Sequence, residues 1–318
     1  MNWKIVLTLA VIIFLIAGLY YFNSFLTKAS DNPYEYSIDS GDQNSINKQL
    51  YKEIKQILLP FAKAHALSVG PGSRLYVSGD KTVMCLKDLK EKIFNTVLDE
   101  PAGALAVSKE GNLYTGLSDR VIVLNQNGAV MDEWSSLGEK AVITEVAVSE
   151  DNVFIADAGN KFIWHFDVSG RLIGKMDGKN NPKNSHGFIV PSPYFDVAIG
   201  ENNTVWITNP GKHSVEQYSF SGEYLSSWEK PYDASGGFKG CCNPTDITIL
   251  QGNYMITSEK GLVHVKLFTL QGDFMGLIAD EDTFGEGAAG LDLDTDSEGR
   301  IYILDPEKSI VHLFEKEK

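Results

Sequence analysis

Cysteine is scarce: the 318 residues hold three, Cys85, Cys241 and Cys242. So few exclude a disulfide framework, and no Cys-x-x-Cys spacing occurs. Basic residues are also in short supply, with 28 Lys and Arg against 42 Asp and Glu and a net charge of −14 at pH 7. A surface this negative repels phosphate backbones, which need basic side chains to neutralise them, so nucleic-acid binding is excluded. Sequence signatures of common catalysts are missing too: there is no P-loop, no Gly-x-Ser-x-Gly and no His-Glu-x-x-His.

Acidic residues are absent from one stretch, residues 1–30, which contain Lys4 and Lys28. Ile5 to Phe22 is an uncharged apolar run of 18 residues. At about 1.5 Å per residue, a helix of that length nearly crosses a hydrocarbon core of roughly 30 Å. Lys4 and the α-amine precede the run, so the positive-inside pattern puts the N-terminus in the cytoplasm. A cleaved signal peptide ending at Thr27-Lys28-Ala29 is the competing reading, but such peptides usually carry an apolar region of only about 7–15 residues. The expectation is a cytoplasmic tip and retained single-pass transmembrane helix over 1–26. A polar stalk over 27–48 follows, then one domain over 49–318 on the periplasmic or extracellular side.

That domain is repetitive. Segments starting at Leu67, Leu105, Val146, Val197, Ile247 and Leu291 share one grammar. A short alternating apolar strand leads to a polar turn and a β-rich strand such as Val205-Trp-Ile-Thr. A third strand, a glycine turn and a fourth strand follow. The turn glycines recur at Gly128, Gly170, Gly222 and Gly272. Four strands per repeat of roughly 40 residues is the arithmetic of a β-propeller, here with six blades. The last repeat ends after three strands, so Gln56 to Phe61 is expected to supply the fourth beside Ile310–Phe314 and close the ring. A capping helix over Ile46–Leu59 is the alternative, its Lys and Glu content favouring the earlier half of that range.

Propeller topology sorts the loops onto two faces. The face with the first–second and third–fourth strand turns carries generic solvated sequences. The other face carries the second–third strand turns and the crossovers between blades. Repeat starts lie 38, 41, 51, 50 and 44 residues apart, and the two longest intervals hold the crossovers 183–196 and 236–246. Both flank the blade starting at Val197. Loops enlarged on a rigid scaffold are where function usually sits.

The repeats over about 65–318 resemble NHL-repeat six-bladed propellers. PSPYFD (191–196), NPGKHSVEQY (209–218), FKGCCNP (238–244) and TSEKG (257–261) are similar to a membrane-associated bacterial subgroup with a Gly-Cys-Cys-Asn-Pro loop. The resemblance implies a binding platform. A minority of related propellers are metal-dependent hydrolases or lyases, but their complete ligand sets are not found in this sequence.

On the enlarged face the candidate binding residues are His186, Asn209, His213, Glu216, Cys241, Cys242, Asn243, Glu259 and Lys260. Adjacent Cα atoms sit about 3.8 Å apart, below the usual disulfide window, so a Cys241–Cys242 bridge would be strained and easily reduced. Two thiolates could instead hold copper(I) or zinc, or the pair could simply pack. His186, His213 and Glu216 could bind a metal or a polar partner, or tether loops by hydrogen bonds. Glu259-Lys260 and Asp157/Asn160 occupy equivalent turns, where a solvated turn or an inter-blade ion pair is the plain reading. Cys85, His165 and His264 read as structural. Asp292 to Glu298 hints at a calcium loop but lacks its glycine and its final Glu, and reads as a strand and turn. The expected function is a membrane-anchored platform for an envelope protein or small ligand, with no catalytic residues and no required cofactor. The alternative is a metal-dependent hydrolase or lyase working at the channel mouth.

Overall fold

A computed structural model describes Trp3 and residues 50–317, apart from 184 and 286. The expected anchor and stalk lie outside the described residues, Trp3 excepted. No helix among the described residues is long and apolar enough to cross a membrane.

The described chain opens with strand β1 (Tyr51–Leu58). Blade 1 follows as β2 (Ala64–Gly70), β3 (Arg74–Gly79), β4 (Thr82–Lys87) and β5 (Glu91–Val97). Blade 2 is β6 (Ala104–Val107), β7 (Leu113–Gly116), β8 (Val121–Leu124) and β9 (Val130–Glu133). Blade 3 is β10 (Ile143–Val148), β11 (Asn152–Asp157), β12 (Phe162–Asp167) and β13 (Leu172–Met176). Blade 4 is β14 (Val197–Gly200), β15 (Thr204–Asn209), β16 (Ser214–Ser219) and β17 (Tyr224–Glu229). Blade 5 is β18 (Asp246–Leu250), β19 (Tyr254–Ser258), β20 (Val265–Thr269) and β21 (Phe274–Ala279). A short helix, α1 (Glu281–Phe284), crosses to blade 6, made of β22 (Asp292–Thr295), β23 (Ile301–Asp305) and β24 (Ile310–Lys316).

Each sheet is antiparallel, five have their strands in chain order, and the first strands β2, β6, β10, β14, β18 and β22 neighbour one another in a closed ring. The fold is therefore an all-β six-bladed propeller, as the repeats predicted. The sixth blade takes β1 as its fourth strand, with Tyr51 opposite Lys316 and Leu58 opposite Ile310. Pairing starts five residues earlier than expected and stops at Leu58, before Pro60, which has no N–H to extend the ladder. Residues 51–58 are strand, which overturns the capping-helix alternative there. The ladder satisfies backbone groups along β24 that an open edge would leave unpaired.

Blades are joined by apolar side chains wedged between sheets. Trp134 meets Tyr114 and Phe166, Phe188 meets Phe195 and Tyr218, and Trp228 meets Phe238 and Phe268. Fully burying such a side chain contributes roughly 1.5–3 kcal/mol. The turn glycines belong to this packing. Gly170 and Gly272 hold φ of +79° and +89°, and a Cβ on either would lie within 2.6 Å of the ring of Trp134 or Trp228. Glycine is required there by both conformation and close approach.

Candidate functional site

The crossover face is built on one repeated device. Asp157, Asn209, Glu259 and Asp305 occupy equivalent register positions at the end of the second strand in blades 3, 4, 5 and 6, and all four are buried. Three of them grip the crossover entering their blade. Asp157 accepts from the N–H of Val142, Asn209 from that of Ile189, and Glu259 from that of Lys239, at 3.0, 2.9 and 2.6 Å. Asp305 accepts from its own turn, Glu307 and Lys308. These residues lie beneath the surface, where the plain reading of Asp157 and Glu259 was a solvated turn or an ion pair. A loop's backbone groups need partners, and these side chains supply them.

Around blade 4 the device is elaborated. Asn209 donates to Glu216 at 2.8 Å, and Glu216 also accepts from the hydroxyl of Tyr218 at 2.5 Å. Both carboxylate oxygens of Glu216 are thus engaged, and the residue is only 1% exposed. His213, at φ +53° in the turn after β15, bonds the backbone of Gly240 in the next crossover. Burial holds its pKa below the usual imidazole value. His186 is exposed in the 183–196 crossover. Among the described residues, His186, His213 and Glu216 do not form a metal-ligand group.

Blade 5 locks the second crossover. Glu259 and Lys266 form a buried ion pair, and Lys266 Nζ also donates to the carbonyl of Gly237 at 2.8 Å. Asn243, fully buried, donates to the carbonyls of Lys239 and Lys260 and accepts from the N–H of Lys260 at 2.9 Å. The backbone from Gly240 to Asn243 is therefore pinned on both sides. On it stand Cys241, exposed, and Cys242, buried, both unbridged in place of the strained disulfide that the sequence allowed. The Cys242 thiol meets those of Cys241 and the hydroxyl of Ser192, near the Lys260 ammonium. Lys260 Nζ lies 3.0 Å from Ser192 Oγ and 4.8 Å from the centre of the Tyr194 ring. The two long crossovers thus meet at Ser192, Tyr194, Lys260 and the cysteine pair.

Tyr194 also borders the channel, where a feature absent from the sequence reading appears. The residue before the first apolar position of each inner strand is Ala66, Ala104, Glu145, Asp196, Asp246 or Asp292. Four of the six are acidic and lie between two cavities of about 260 and 290 Å³ along the axis. Among the described lining residues of both cavities, none is Lys or Arg. Carboxylate oxygens of Glu145, Asp246 and Asp292 lie within 4.8 Å of one another.

These carboxylates have a structural task as well. An innermost strand has a free edge towards the channel, and its N–H groups need acceptors. Asp196 accepts from Ile247 N of the next blade, Asp292 from Leu67 N at 2.6 Å, and Asp294 from Val69 N at 2.7 Å. Glu145 and Asp246 have no such bond across blades, and Asp246 Oδ1 is inaccessible and without a hydrogen-bond donor. Asp246, Asp292 and Glu145 line the lumen and are each half-buried. Burial pushes Asp196 and Asp292 up to about 7 and Asp294 to about 6. Burial, then repulsion from neighbouring carboxylates, holds Glu145 and Asp246 well above the usual range. The Asp246–Asp292 contact shares a proton, which pushes Asp246 up further and opposes the rise of Asp292. A hard divalent cation could replace that shared proton, since all the ligands are oxygen.

The signal was present as an acidic residue followed by alternating apolar residues: Glu145-Val-Ala-Val, Asp196-Val-Ala-Ile, Asp246-Ile-Thr-Ile and Asp292-Leu-Asp. The strand reading of Asp292 onward is correct, and that strand delivers two of the channel carboxylates, Asp292 and Asp294.

No protein-family model and no curated protein matches the chain. Solved structures do. A streptogramin B lyase superposes with a TM-score of 0.58 at 14% identity, over 81% of both chains. A virginiamycin B lyase from Staphylococcus aureus gives 0.59 at 11%, over 84% of this chain and all of the other. The WD40 propeller domain of Doa1 gives 0.55 at 12%, over 84% and 98%. At such identities the likeness shows the propeller fold alone.

Proposed function

We propose that this chain is an NHL-like propeller, tethered to a membrane by residues 5–22 and lying outside the cytoplasm. It serves as a binding platform for an envelope protein or small ligand. The observation that carries this reading is the joint fixation of crossovers 183–196 and 236–246. Buried Asn209, Asn243, Glu259 and Lys266 hold their backbones, while exposed His186 and Cys241 and half-buried Tyr194 and Lys260 remain at the surface. Such a surface is preorganised, which lowers the ordering cost of binding. Connectivity supports it too: the described chain enters at Leu50, beside Lys316, on the face opposite these loops.

Photo-crosslinkers placed at His186, Tyr194 and Cys241 in the membrane-bound protein are expected to capture one discrete partner. Crosslinkers at Asn127, Ser169 and Ser221, on the other face, should not. Equal or stronger capture from the second set would refute the platform. Release of the protein by alkaline carbonate, without detergent, would refute the anchor.

A second reading, a metal-dependent hydrolase or lyase at the channel mouth, is favoured by the convergence of Glu145, Asp246 and Asp292. The cation would supply Lewis-acid polarisation, and Tyr194 and His65 border the same cavity. Calcium or magnesium should raise the melting temperature at pH 8, and Asp246→Asn should abolish that rise. Binding must displace the shared protons, so affinity should increase from pH 6 to pH 8. A melting temperature indifferent to both ions would remove this reading.

A further inference from the structure

The cysteine pair has a geometry that simple packing does not require. Side chains of adjacent residues in extended backbone point to opposite sides. Here Cys242 sits at φ +66°, a left-handed conformation that a residue with a Cβ adopts at a cost, and the two thiols meet. The turn that brings them together is held by Asn243 from inside and by His213 at Gly240 from the neighbouring turn. One thiol is open to solvent, and the other is only 8% exposed behind it.

We propose that Cys241 and Cys242 form a two-thiolate site for copper(I), with the Lys260 ammonium balancing its charge. Thiolates are soft ligands and select soft ions. Zinc prefers four ligands in a structural site, and no His, Cys, Asp or Glu completes a group of three around these thiols among the described residues. Copper(I) is stable with two or three soft ligands. Binding releases two protons, one from each thiol, and forms two copper–sulfur bonds without any change of oxidation state. The bis-thiolate complex carries one negative charge, which Lys260 offsets. Lys260 is positioned for this by Ser192 Oγ at 3.0 Å and by the face of Tyr194. Copper would therefore sit where both long crossovers meet, at the centre of the proposed platform. The inference extends that reading and does not require a protein partner.

The test uses the full-length protein in detergent micelles, reduced and oxygen-free, titrated with copper(I) against a chromophoric copper(I) chelator. One ion per chain is expected, with thiolate-to-copper absorption in the near ultraviolet. Cys241→Ser should weaken binding by about 100-fold or more through loss of one of two soft ligands. Lys260→Gln should weaken it by roughly 2- to 5-fold, the scale of a partly exposed charge pair, with the stoichiometry kept. Cys241 is exposed, so its substitution leaves the fold intact, which near-ultraviolet circular dichroism verifies. Loss of all copper to the chelator, or full retention in Cys241→Ser, would overturn the inference. Protein that crosslinks a partner but fails to retain copper(I) overturns the metal site and leaves the platform standing. Copper binding without crosslinks has the opposite meaning.

Discussion

Glu259 and Lys266 show how much a single buried charge controls here. Both are pushed towards neutrality by burial, and each is kept charged by the other. Lys266→Met leaves Glu259 uncompensated and should cost about 3–5 kcal/mol in chemical denaturation. Glu259→Gln added to it should recover much of that loss, because Gln still accepts from Lys239 N. His264 makes the complementary case. Burial, with Lys266 and Lys239 nearby, lowers its pKa to about 4. A depressed imidazole is stable as the neutral ring above the unfolded value of about 6.5, and that contribution fades as pH falls towards 4. The loss reaches roughly 3 kcal/mol below both values. Wild type and His264→Gln should therefore diverge in stability between pH 7 and 4, which paired melting curves measure. Residues of this kind were only half legible in the sequence. Asn209, Glu216 and Glu259 stood out as polar groups near an enlarged loop, but pattern alone does not tell a group facing solvent from one bonding the loop's backbone. Glu145, Asp196 and Asp246 went unnoticed because each looks like ordinary strand-end polarity, and Asp292 was weighed only as part of a calcium loop. Only ring closure brings four repeats' first positions to one axis.

At the scale of elements, β1 is the most instructive. Its companion in the ladder was legible because six repeats lacked one strand, and an open edge in a propeller demands a partner. Its full length was not, since Lys52, Glu53 and Lys55 look helical in isolation and are tolerated on the outermost strand by exposure. Ile57 and Leu59 turn inward to the cluster with Val311 and Leu313. Ile57→Asp should destabilise the domain by about 3 kcal/mol or more, a buried unpaired charge added to lost packing. Hydrogen exchange should report the loss first in β24. The turn glycines were also readable, but the sequence suggested only positive φ. The structure adds a ring beneath the turns at Gly128, Gly170 and Gly272, so Gly272→Ala is expected to cost more than the roughly 1–2 kcal/mol of the left-handed backbone alone. Thermal unfolding measures it.

For the molecule as a whole, the fold was the most accessible property. Repeats spaced by about 40 residues leave few architectures open, and closure follows from strand arithmetic. The axis concentrates carboxyl groups without a Lys or Arg among the described lining residues, while the enlarged face sets Lys260 beside two cysteines. The two regions differ in the donors they present, oxygen within the lumen and sulfur at the surface.

The closing strand also has a mechanical side. Tyr51 pairs with Lys316, so β1 begins at the point where the described chain enters the ring and runs away from it. A pull on Leu50 directed outward from that face runs roughly along the strand and shears its seven register pairs together. Ladders loaded in this way resist far more than those opened one bond at a time. A single-molecule stretch applied through residue 50 should therefore meet a high rupture force, and the same stretch applied across the strand should unzip the ring easily.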